Sequence, residues 1–146
     1  MYEITYSDKY ERGLDIAKIA KRLRAEIKAA VAADQLPACR YSVRIERYSG
    51  GQSLNIIIRD YPHPIHNRRY WELEHEINDA RGTDRFCRLM MEQEETPRLM
   101  PEAAELLKTL GRMADQWNYD GSETHIDFDS SQRHAEWQEL QAELAA

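Results

Sequence analysis

The chain has 146 residues, 42% of them hydrophobic and 32% charged, with a formal net charge of −6. A domain of that length can close one core, hiding roughly 70% of its unfolded surface, and chain-wide disorder is excluded because the apolar residues recur in periodic segments that need burial. Two cysteines are too few for a disulfide scaffold, no apolar leader follows Met1, and no apolar run approaches the ~20 residues of a membrane span. The sequence therefore reads as one cytoplasmic α+β domain, residues 1–146, with no membrane association.

The first element in chain order is an amphipathic helix from about Leu14 to Ala33. Ile16, Ile19, Ala20, Leu23, Ile27, Ala30 and Val31 recur at spacings of three and four, which places them on one stripe. Lys18, Lys21, Arg22, Arg24 and Lys28 fill the remainder, and Pro37 requires the helix to have ended. Period two then takes over. Tyr41, Val43 and Ile45 alternate with Ser42, Arg44 and Glu46, and after Ser49-Gly50-Gly51-Gln52 the residues Leu54, Ile56 and Ile58 alternate with Asn55 and Ile57. Two antiparallel strands joined by a glycine turn follow. A bare hairpin is marginal, so the helix stripe is expected to cover its apolar face.

Beyond Asp60 the pattern is irregular, and residues 61–100 carry the least definite assignment. Pro62 and Pro64 exclude a central strand. A polar helix is expected over Arg68 to Ala80 and a short one over Arg85 to Met91. Pro101 opens a further helix through Leu106, Leu110, Met113 and Trp117. Thr124 to Phe128 reads as a third strand with Ile126 and Phe128 on one side. Ser130 or Ser131 is expected to cap a last helix holding Trp137, Leu140 and Leu144. The fold class is α+β: a hairpin, extended to three strands, packed by the first helix and further helices.

Charge is distributed unevenly. Residues 1–47 hold 10 basic and 7 acidic side chains, residues 48–90 hold 6 of each, and residues 91–146 hold 4 basic and 13 acidic. Asp120, Glu123, Asp127 and Asp129 make the densest acidic stretch, and as a calcium loop they fail, because the sixth and twelfth positions from Asp120 are His125 and Ser131. They are expected instead to present carboxylates to a basic partner. The opposite expectation is nucleic-acid binding through Lys21, Arg24 and Lys28 of the first helix with Arg40, Arg44 and Tyr48 of the hairpin. His63, His66 and His75 with Glu72 lack the second carboxylate–histidine pair that a dinuclear site needs. The glycine turn lacks the Gly-Lys-Ser/Thr of a phosphate loop. No catalytic, metal or cofactor residues are assigned; a hollow lined by two or more of His63, His66, Glu72, His75 and Cys87 would instead favour an enzyme. Cys39 and Cys87 read as inert thiols, Cys87 on an apolar face.

Three stretches in order, Tyr41-Ser42-Val43-Arg44, Tyr48-Ser49-Gly50-Gly51-Gln52-Ser53-Leu54 and Trp117-Asn118-Tyr119-Asp120-Gly121-Ser122-Glu123, follow the amphipathic helix. Together they resemble one of the large polyvalent protein-associated domains of phages, plasmids and conjugative elements, over residues 14–60 and 101–129. The match departs after Asp120, where Asp127-Phe128-Asp129-Ser130 stands in place of an aromatic run. The resemblance implies a mobile-element accessory protein, such as a counter-defence inhibitor of the anti-CRISPR or anti-restriction kind, whose partner is a host or defence protein. It brings no catalytic residues with it.

Overall fold

The computed structural model describes residues 15–49, 51–117 and 123–146. Along the chain the elements are α1 (Ile16–Ala32), β1 (Arg40–Tyr48), β2 (Gly51–Arg59), α2 (Arg68–Asp79), α3 (Thr83–Glu95), α4 (Pro101–Asp115), β3 (Glu123–Phe128) and α5 (Ser130–Ala145). The fold is α+β, as the residue periods require. The chain gathers into two compact units, one of residues 1–62 and 105–129 and one of residues 63–104 and 130–146.

The first unit holds the sheet. β1 and β2 pair antiparallel from Arg40↔Arg59 to Tyr48↔Gly51, the register that the two-residue connection at 49–50 imposes. β3 adds on the far side of β2, in parallel, from Ser53↔Glu123 to Ile58↔Phe128, giving the order β1-β2-β3. A parallel neighbour needs a long crossover, and residues 60–122 supply it. Strand period two sends Tyr41, Val43, Ile45, Leu54, Ile56, Ile58, Ile126 and Phe128 to one face. α1 lies there with Ile16, Ile19, Ala20, Leu23, Ile27 and Ala30 buried. Asp15 caps it by accepting a 2.9 Å hydrogen bond from the Lys18 amide, and it ends where Asp34 takes a left-handed φ of 58°. α4 shares that face, since a Cβ at Gly111 would lie 3.7 Å from Ile126 Cδ1. Its Leu106, Leu110 and Ala114 are buried, as is Trp117 just beyond its end.

The second unit is helical. The segment before α2 runs antiparallel to the one before α4, through a bridge of His66 with Leu99 and the amide bonds Asn67 N to Arg98 O and Met100 N to Ile65 O. This explains the two prolines: the segment makes one bridge, not a ladder, so the missing donors cost nothing. Asn67 caps α2, its side chain accepting from the Arg69 amide. Leu73 and Ile77 are buried on α2, and α3 buries no residue at all. The expected burial of Cys87 is therefore overturned: it is exposed, because α3 turns no side chain into a core. α5 begins at Ser130 itself, so neither Ser130 nor Ser131 stands ahead of the helix as a cap.

Candidate interaction surfaces

The face of the sheet away from α1 and α4 carries the other half of the alternation. Reading across β1, β2 and β3, its rows are Glu46·Ser53·Glu123, Arg44·Asn55·His125, Ser42·Ile57·Asp127 and Arg40·Arg59, with Asp129 just past β3. Arg44, Glu46, Glu123, His125 and Asp127 are exposed. Two of the three arginines are engaged by carboxylates: Arg40 Nε donates to Asp60, and Arg59 lies 3.6 Å from Asp129. Glu46 accepts from the Asn55 amide at 3.3 Å, and His125 Nε2 lies 3.3 Å from Glu123. An uncharged amide orients Glu46 without cancelling its charge.

The predicted acidic set is thus divided. Glu123 and Asp127 share the exposed face of β3. Asp129 is half-buried and ion-paired, and Asp120 lies outside the described residues. Glu46, which the alternation places on the strand face away from the first helix, joins them through the register. Four other acids of the last third are occupied elsewhere. Glu92 and Glu143 bond Arg69 and Arg68, whose guanidinium pKa values these bonds raise, and Glu105 bonds Arg112. Glu136 accepts from the Ile65 amide at 2.8 Å and the His66 amide at 3.0 Å.

The predicted basic set is divided by the sheet itself. Lys21, Arg24 and Lys28 lie along α1, which covers one face, whereas Arg40 and Arg44 project from the other. Tyr48 closes the hairpin ladder opposite Gly51. On the α1 side a groove of about 400 Å³ runs between α1 and β1, with Cys39 and Tyr41 at one end. Tyr41 Oη donates to the Pro37 carbonyl at 2.8 Å. Burial raises the pKa of both the Cys39 thiol and the Tyr41 phenol, so both stay protonated at neutral pH.

In the second unit a hollow of about 550 Å³ is lined by His66, Ser130, Ser131, Arg133, His134 and Trp137. Of the five residues whose convergence would favour an enzyme, it gathers His66 alone. His66 Nε2 lies 2.9 Å from the Arg133 carbonyl, and His75 Nε2 lies 2.6 Å from Gln141 Oε1, so each ring has a structural partner. Trp71 meets Trp137 edge to face at 6.0 Å, and His134 stacks on Trp137 at 5.9 Å. Among the described residues no three His, Cys, Asp or Glu side chains come together in a way that could hold a metal ion, and no helix is long and apolar enough to cross a membrane.

Comparison with protein-family models, with curated proteins and with solved structures finds no match, so a functional reading rests on this chain's own residues.

Proposed function

We propose that the chain is an interaction protein that docks on a basic surface of a protein partner through the outer face of its sheet. One observation carries this reading: Glu46 and Glu123 occupy the same cross-strand row on either side of Ser53, with Asp127 two rows along. Two interstrand spacings put the outer strands about 10 Å apart, so three carboxylates lie within the footprint of a few basic side chains. Such a surface steers encounter and weakens with salt. The resemblance to mobile-element domains adds a context, in which the partner is a host defence protein and the docking inhibits it.

A nucleic-acid partner fits less well. Phosphates would meet Arg40 and Arg59 already bonded to Asp60 and Asp129, beside the carboxylates of Glu46, Glu123 and Asp127, and the cations of α1 lie across the sheet. The test is affinity capture from the native host with the full chain and with an E46K/E123K/D127K variant. A partner released by salt and lost with the variant is the expected result. Salt-sensitive binding of generic DNA or RNA probes, unchanged or strengthened in the variant, would overturn it.

A further inference from the structure

β1 is an outer strand among the described elements. The pair Tyr48↔Gly51 closes a two-residue connection and is therefore a hydrogen-bonded pair. Hydrogen-bonded and non-hydrogen-bonded pairs alternate along an antiparallel ladder. Tyr48, Glu46, Arg44 and Ser42 thus spend their backbone groups on β2, and Tyr41, Val43 and Ile45 turn theirs to the open edge. The Val43 carbonyl accepts from Arg24 Nη2, in keeping with this parity. Among the described residues no further backbone hydrogen bond falls on Tyr41, Val43 or Ile45.

The groove between α1 and β1 opens along this edge. Ile27, Val31 and Val43 line it with apolar surface, its two charged lining residues are Arg24 and Lys28, and no carboxylate is among them. Arg24 and Lys28 are four residues apart on a helix, hence about 6 Å along its axis. In an extended peptide, side chains on one face recur every two residues, or about 6.6 Å. Arg24 has five N–H donors, so its bond to one carbonyl leaves others for a carboxylate.

We propose that this groove binds an extended acidic segment of a partner protein, added antiparallel or parallel as a strand beside β1. Its side chains facing α1 are an apolar residue over Ile27 and Val31, and acidic residues spaced by two against Arg24 and Lys28. Main-chain bonds to the Val43 N–H and to both backbone groups of Ile45 supply register-independent affinity, the Val43 carbonyl staying with Arg24, and the groove supplies the selection. The site lies on the opposite side of the sheet from the Glu46–Glu123–Asp127 surface, so it stands or falls separately from the function proposed above.

The test uses the full chain, isotopically labelled, titrated with a pool of heptapeptides having Thr at alternate positions and Val, Leu, Asp or Glu between them. Saturable amide shifts are expected at Val43, Ile45 and residues 24–32, with none from a pool carrying Lys for the acids. R24Q/K28Q, at unchanged Tm, is expected to weaken binding at least tenfold. N-methylation of the peptide backbone abolishes it at one parity of positions and leaves it at the other. E46K/E123K/D127K leaves it unchanged. The proposal is overturned by absent shifts at Val43 and Ile45, by equal binding of the Lys pool, or by indifference to N-methyl parity. Peptide binding seen only after deletion of residues 1–14 would also overturn it, by assigning the groove to the chain's own first segment.

Discussion

α1 and α3 put the same helical period to opposite uses. Both alternate apolar and charged residues at spacings of three and four. α1 buries six of its side chains against the sheet, whereas α3 buries none and leaves Phe86 at 43%, Met90 at 37% and Met91 at 66% exposure. The units that hold them differ less. In the first, Leu23, Leu54, Ile56, Ile58 and Leu110 have no exposed surface. In the second, Ile65 and Leu73 are also fully buried and Trp71 meets Trp137 between α2 and α5, and polar bonds add to them: Arg69 to Glu92 and Gln93 to Glu74 join α2 with α3, and Arg68 to Glu143 and His75 to Gln141 join α2 with α5. Periodicity shows that a helix has an apolar side; it does not say how much apolar surface waits to meet it.

The contrast can be broken most directly by truncation. Ile56→Ala removes a side chain with no exposure and is expected to cost about 2–5 kcal/mol in denaturant unfolding. Met90→Ala on α3 should cost under about 0.5 kcal/mol, as exposed substitutions do. Equal losses would show that α3 carries core stability after all. Next in size, Glu136→Ala strands the half-buried amides of Ile65 and His66 and should cost about 1–3 kcal/mol. Hydrogen exchange is expected to speed at those two amides and leave the β1–β2 ladder untouched. Arg69→Ala, at an exposed ion-pair network, should shift Tm only slightly, and not at all in ~1 M salt.

The smallest effect is chemical. Cys87 is exposed and should alkylate well ahead of Cys39, whose thiol burial keeps protonated. Because folding raises the Cys39 pKa above its ordinary 9.0, the unfolded chain loses this proton first as pH rises. Stability is therefore whole below about pH 9 and declines above it toward the folded pKa. Tyr41, also raised by burial, adds a decline of the same sign at higher pH. C39A should flatten the first part of that decline in unfolding measured across the alkaline range; an unchanged slope would place the titration elsewhere.

Much of this arrangement was legible in the residues. Alternation over Tyr41–Ile45 and Leu54–Ile58 named both strands and sorted their faces, and the Ile16–Ala30 stripe named the helix that covers one of them. The candidate surfaces were half legible. Glu123 and Asp127 share a face by period two alone, but Glu46 joins them only because β3 lies parallel to β2 in the register Ser53↔Glu123. Arg24 and Lys28 read as part of the basic side of the first helix, and nothing local shows that they overhang a strand edge. Cys87 was misplaced for a related reason: an apolar helix position is an offer of burial that only a neighbour can accept.

Local periodicity, turns and prolines by themselves determined where each element lies and which side of it is apolar, since backbone sterics and side-chain spacing act over a few residues. Which strand lies beside which, in what direction, and which apolar faces find cover were decided only in the tertiary structure. Those choices depend on contacts between residues up to about seventy positions apart, as between Glu136 and Ile65 or Ser53 and Glu123, and no short-range pattern encodes them.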